Sequence, residues 1–111
     1  MIIAIDFDGT WTEAPFLWSS FVELCVSQGH KAIIATARKE SDPVYKKSQW
    51  DGPADILCTE SGRILDVVYC GNSLKKDECL RQGFKVDIWI DDNPGMIERC
   101  KVLEDSPEDA L

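Results

Sequence analysis

Apolar residues in this chain come in short unbroken runs, and each run stops at a polar group. Ile2-Ile3-Ala4-Ile5 leads into Asp6-Phe7-Asp8-Gly9-Thr10, and Lys31-Ala32-Ile33-Ile34-Ala35 leads into Thr36. Val67-Val68-Tyr69-Cys70 leads into Gly71-Asn72-Ser73, and Val86-Asp87-Ile88-Trp89-Ile90 into Asp91-Asp92-Asn93-Pro94. Runs of this kind predict strands buried on both faces of a parallel sheet. Between the first two, Phe16 to Gln28 carries Leu17, Phe21, Leu24 and Cys25 at helical spacing, with Pro15 suited to a first turn and Gly29 to a stop. Ser73 is expected to cap a second helix from Leu74 to Gln82, and Pro94 to start a last one with Met96, Ile97, Cys100 and Leu103 on its apolar side.

Strand, helix, strand makes a right-handed crossover, so the strands run parallel and their polar ends gather on one edge. The stretch from Lys39 to Asp66 is harder to place. Ser41-Asp42-Pro43 reads as a helix start and Val44 to Trp50 as a short helix ended by Asp51-Gly52-Pro53. Asp55 to Thr59 and Ile64 to Cys70 read as strands around a Ser61-Gly62-Arg63 turn, with Val67 to Cys70 the better candidate for the sheet.

Length and charge narrow the picture. The 111 residues fit one domain, expected over residues 1–104, with 105–111 an acidic tail. A formal net charge of −8 argues against extended nucleic acid as a partner. No apolar run is long enough to span a membrane, and no basic-then-apolar leader precedes the first strand. Five scattered cysteines without metal-ligand spacing read as reduced, structural thiols, which fits a cytoplasmic location.

The chemistry sits at the strand ends. If the first strand continues to Asp8, alternation aims Asp6 and Asp8 at one volume. Two carboxylates there need a cation, a shared proton or both, and that need suggests Mg²⁺, a hard ion that takes oxygen ligands. An EF-hand is excluded, because its twelfth position counted from Asp6 is Leu17 rather than glutamate. Trp11, three residues after Asp8, belongs either to the core or to the pocket mouth. Lys75 and Lys76 fall in the first turn of a helix, where cations oppose the dipole, and this points to a use for one of them.

Asp6-Phe7-Asp8-Gly9-Thr10, Ile34-Ala35-Thr36-Ala37-Arg38, a lysine at a helix start and Ile90-Asp91-Asp92-Asn93-Pro94 follow one another in this order. Together they resemble motifs I to IV of the haloacid dehalogenase (HAD) superfamily, in the form of a small capless phosphatase. The resemblance covers nearly the whole chain. It implies a three-layer α/β/α, Rossmann-like parallel sheet without a full cap domain. It also implies a Mg²⁺-dependent phosphomonoesterase working through an aspartyl phosphate, with Asp6 as nucleophile and Asp8 as acid and base. Thr36 and Lys76 would hold the phosphoryl group, Lys76 being favoured over Lys75 by its four-residue spacing to Leu80. Gly9, Thr10 and Arg38 would also face the substrate, and Asp6, Asp8, Asp91 and Asp92 would form the metal site.

A capless site in this family goes with an open-site substrate, such as a nucleotide, a nucleic-acid end or a phosphoprotein. It also goes with a second copy of the chain acting as lid. Two rival readings remain. A receiver domain would need its acidic pair early and its phosphorylated aspartate mid-chain, which this order does not supply. A non-catalytic relative, keeping the fold for binding or regulation, is the main alternative.

Overall fold

A computed structural model of the protein describes residues 1–44 and 65–98. The expected helix after Val44, the strand over Asp55 to Thr59, Cys58, Cys100 and the acidic tail lie outside the described residues. Four strands, β1 (Ile2–Ile5), β2 (Lys31–Thr36), β3 (Asp66–Tyr69) and β4 (Ile88–Ile90), form one sheet in the order β3-β2-β1-β4. Every neighbouring pair is parallel. Two helices accompany them, α1 (Pro15–Ser27) and α2 (Lys75–Arg81), with short 3₁₀ turns at Trp11–Glu13 and Pro94–Met96. The protein is thus a small α/β fold with a four-stranded parallel sheet. Among the described residues no helix is long and apolar enough to cross a membrane.

Strand alternation divides the core into two clusters on opposite faces of the sheet. Ile3, Ile5, Ala32 and Ile34 pack with Val22 and Cys25 of α1, together with Phe7, Trp11, Val44 and Leu65. Ala4, Ile33, Ala35, Val68 and Cys70 pack with Cys79 of α2, flanked by Phe84, Val86 and Trp89. This explains the unbroken apolar runs, since each strand needs a hydrophobic side chain on both faces. Cys25, Cys70 and Cys79 are buried free thiols, used as small apolar fillers.

Several expected boundaries shift. Helix α2 begins one residue later than expected, with Leu74 rather than Ser73 at its cap position and no side-chain cap. After Pro94 the described chain makes only a single 3₁₀ turn. The larger correction concerns α1, whose buried residues are Ser19, Val22 and Cys25, while Leu17 and Leu24 face outward. The helix is apolar nearly all round, so its periodicity alone does not choose a face. The sheet chooses the face that carries β-branched and small residues.

This phase has a measurable consequence. Val22→Ala, at a side chain with 0 % exposure, is expected to destabilise the fold by about 1–2 kcal/mol through lost packing. Leu24→Ala, at a position 59 % exposed, is expected to stay within ~0.5 kcal/mol. Urea unfolding midpoints of the two variants check the assignment.

Candidate functional site

Register assembles the site. Ile5 pairs with Ile90, so the next residues, Asp6 and Asp91, emerge side by side from adjacent strands. The Asp6 amide donates to the Ile90 carbonyl at 2.9 Å and fastens this junction. By alternation both carboxylates lie on the α2 face, Asp6 in phase with Ala4 and Asp91 in phase with Trp89. The start of α2 covers that face. Lys75 is buried there, and its Nζ donates to Asp6 Oδ1 and to Asp91 Oδ2, each at 2.7 Å.

The loops complete the arrangement. The Thr10 hydroxyl lies 3.3 Å from both Asp6 Oδ2 and Asp92 Oδ1, sharing its proton between them, and accepts from the Asp92 amide at 3.3 Å. The Asn93 amide donates to Asp91 Oδ1 at 2.8 Å. Gly9 adopts φ +86°, and a Cβ placed there would stand 2.5 Å from Asp92 Oδ2. Glycine is therefore required on two counts, a left-handed backbone and a close approach. Trp18 braces the same loop, its Nε1 donating to the Thr10 carbonyl at 2.9 Å.

Asp6, Asp91 and Asp92 each offer an oxygen within 4.8 Å of the others, a spacing that suits a single cation. Three carboxylates against the one Lys75 ammonium leave an excess of negative charge, which favours a divalent ion with oxygen ligands. The residues present could therefore hold a cation with oxygen ligands. A cleft of about 200 Å³ opens over the cluster, lined by Asp6, Asp8, Ala37, Lys75, Asp91 and Asp92 with Asn93 and Met96.

The expected site residues divide accordingly. Asp6, Thr10, Asp91 and Asp92 come together, and Gly9 packs against them. The expected lysine moves by one residue, from Lys76 to Lys75. Lys76 is half-exposed and pairs with Glu98 at 2.9 Å, because one step along a helix rotates the side chain by about 100°. Asp8 lines the cleft but stands outside the carboxylate cluster. The strand ends at Ile5 and the chain turns, so alternation does not carry Asp8 to the side of Asp6. Asp8 instead forms a two-bond fork with Arg38, to Nε and Nη2 at 2.8 Å each.

Thr36 shares the phase of Ile34 and so points to the α1 face; its hydroxyl accepts from the Arg38 amide at 3.1 Å, and Ala37 takes the place at the cleft. Trp11 is fully buried in the α1-side core, which removes it from the pocket mouth. Lys75 was a candidate only as the alternative to Lys76, and Asn93 was given no role of its own. The only signal for Lys75 was its position at a helix start.

Burial pushes the Asp6 carboxyl up to about 6 from 3.8, against the hydrogen bond from Lys75, which holds it down; Asp92 and Asp91 push it further up. Burial pulls Lys75 down, but its hydrogen bonds to Asp6 and Asp91 prevail and the ammonium is held charged above its ordinary value.

Two outcomes follow from this balance. Lys75→Met strands two buried carboxylates and is expected to cost about 3–5 kcal/mol in urea unfolding, whereas Lys76→Met, at a surface pair, is expected to stay within ~0.5 kcal/mol. A carboxyl whose value in the fold lies above that of the open chain opposes folding once it ionises. Metal-free protein is therefore expected to lose stability as pH rises from 3.8 toward about 6. The Asp6 contribution to that loss is on the order of 3 kcal/mol, and it is absent from the pH–stability curve of Asp6→Asn. Compared with known proteins, the chain matches no family model, no curated protein and no solved structure.

Proposed function

We propose that the chain is a phosphohydrolase of HAD type, with a three-layer α/β/α core and Mg²⁺ as its cofactor, releasing phosphate from monoesters through an aspartyl phosphate. The observation that carries this reading is the Lys75 bridge between Asp6 and Asp91, with Asp92 in the same cluster. Residues from the first strand end, a helix start and the last strand end converge there, in the order that the resemblance requires. The resemblance supplies the reaction, and the geometry supports it by supplying a buried carboxylate beside a fixed ammonium and a set of oxygens for a divalent ion.

In this reading Asp6 attacks the phosphorus in line; the bond to the leaving oxygen breaks as the new acyl phosphate bond forms. Lys75 stays charged throughout, so it offsets the negative charge that gathers on the phosphoryl oxygens. Asp8, once it has taken a proton from solvent, gives it to the leaving oxygen and later takes one from the water that cleaves the acyl phosphate. Thr10 keeps Asp6 and Asp92 in a fixed relation, which limits rotation of the nucleophile. Asp6, Asp91 and Asp92 would hold Mg²⁺, which when bound screens the anionic nucleophile from the anionic substrate. The substrate class is a phosphorylated molecule presented at an open cleft, such as a nucleotide, a nucleic-acid end or a phosphoprotein.

With Mg²⁺ present, the protein is expected to release phosphate from p-nitrophenyl phosphate, and Asp6→Ala to reduce the rate by at least about 10³-fold. Lys76→Met is expected to retain most of the activity and Lys75→Met to lose it. Mg²⁺ is also expected to raise Tm at neutral pH, by less in Asp91→Asn. A rise in Tm without turnover of any phosphomonoester would replace the enzyme reading by that of a binding protein.

A further inference from the structure

The reading above leaves one pairing unused. Arg38 is held from several sides: its guanidinium lies 5.0 Å from the Phe7 ring centroid, Nη1 donates to the Pro43 carbonyl at 3.2 Å, and Asp42 stands 3.7 Å away. Its side chain is 21 % exposed. Asp8, by contrast, is 56 % exposed at its side chain, and among the described residues its carboxylate is held by Arg38 alone. The two partners thus differ in exposure and in how many groups hold them. The guanidinium is pre-oriented, and the carboxylate on it is the exchangeable half.

A bidentate carboxylate on a guanidinium occupies the donors that would otherwise grip two phosphate oxygens. Asp8 also lines the cleft next to the acidic cluster, whereas Arg38 is tied to the cleft through Asp8 rather than lining it. Both Asp8 oxygens are engaged in the fork, which fixes the carboxylate against Arg38 while it is closed.

We infer that the Asp8–Arg38 fork is an autoinhibitory latch, in which Asp8 occupies an anion-binding guanidinium until a phosphate group in the cleft displaces it. The exchange does two things at once. It gives the phosphate a fixed cation, and it frees Asp8 to act on the bound substrate. This inference rests on the phosphohydrolase reading of the site and adds to it a coupling between ligand capture and release of Asp8.

The test is a double-mutant cycle on orthophosphate affinity, measured by calorimetry with saturating Mg²⁺ on wild type, Asp8→Asn, Arg38→Met and the double variant. Circular dichroism and an unfolding curve establish that each variant is folded. The latch predicts about tenfold tighter binding in Asp8→Asn, because a resident competitor is removed. It predicts at least about tenfold weaker binding in Arg38→Met. In the Arg38→Met background the gain from Asp8→Asn is expected to vanish, to within about twofold, since there is no longer a guanidinium to release. A gain of equal size in both backgrounds would mean that Asp8 acts only through its charge, and would overturn the latch. Weaker binding in Asp8→Asn would overturn it as well, marking the fork as a brace. If wild type binds orthophosphate and the cycle is additive, the latch fails and the phosphohydrolase reading stands. If neither wild type nor Asp8→Asn binds it, both fail.

Discussion

A single buried ammonium holds the functional end of this molecule together. Lys75 reaches Asp6 and Asp91 at the same distance from each, and all three groups are removed from water. Two carboxylates at adjacent strand ends would repel strongly in such surroundings, and burial alone makes the ionised form of Asp6 unfavourable. The lysine reverses part of that cost without removing it. The remaining imbalance gives the site its character, an acidic cluster that is only partly neutralised and whose oxygens could hold a cation.

That arrangement depends on the sheet below it. Because β1 pairs with β4 in parallel and in register, Asp6 and Asp91 are adjacent through backbone geometry alone. Because strands alternate, both fall on the face that α2 covers, and a lysine at the start of α2 is placed above them. The same alternation turns Thr36 to the opposite face and leaves Ala37 at the cleft. Position along the strands therefore decides which side chains take part, and chemical suitability is secondary. A threonine hydroxyl at the wrong phase does not reach the cluster, whereas Thr10, in the turn after β1, does.

Much of the fold could be read from residue order. The four apolar runs are strands, and each of the acidic residues at the ends of β1 and β4 belongs to the cleft. What could not be read were matters of phase. Lys75 and Lys76 are chemically identical neighbours, and spacing to Leu80 favoured Lys76, whereas Lys75 is the one that reaches Asp6 and Asp91. On α1, Phe21 and Cys25 of the expected set pack toward the sheet, while Leu17 and Leu24 give way to Trp18 and Val22, and only the partner surface decides. Asp8 was placed beside Asp6 on the assumption of a longer strand. The chain turns at Phe7, whose ring enters the α1-side core, and that turn sends Asp8 toward Arg38.

The central position of β1 has a bearing on how the protein is made. β1 is synthesised before the other three strands, yet one of its two flanking neighbours is β4, the last strand among the described residues. Until α2 and β4 have been synthesised, Ile3 and Ile5 have an unpaired backbone on one side, and Asp6 has neither its lysine nor its acidic companion. The pocket is thus a late product of translation, closed by a contact between distant parts of the chain. A nascent or truncated chain would expose a bare, strongly apolar strand edge, which makes the first segment the one most in need of protection during biosynthesis.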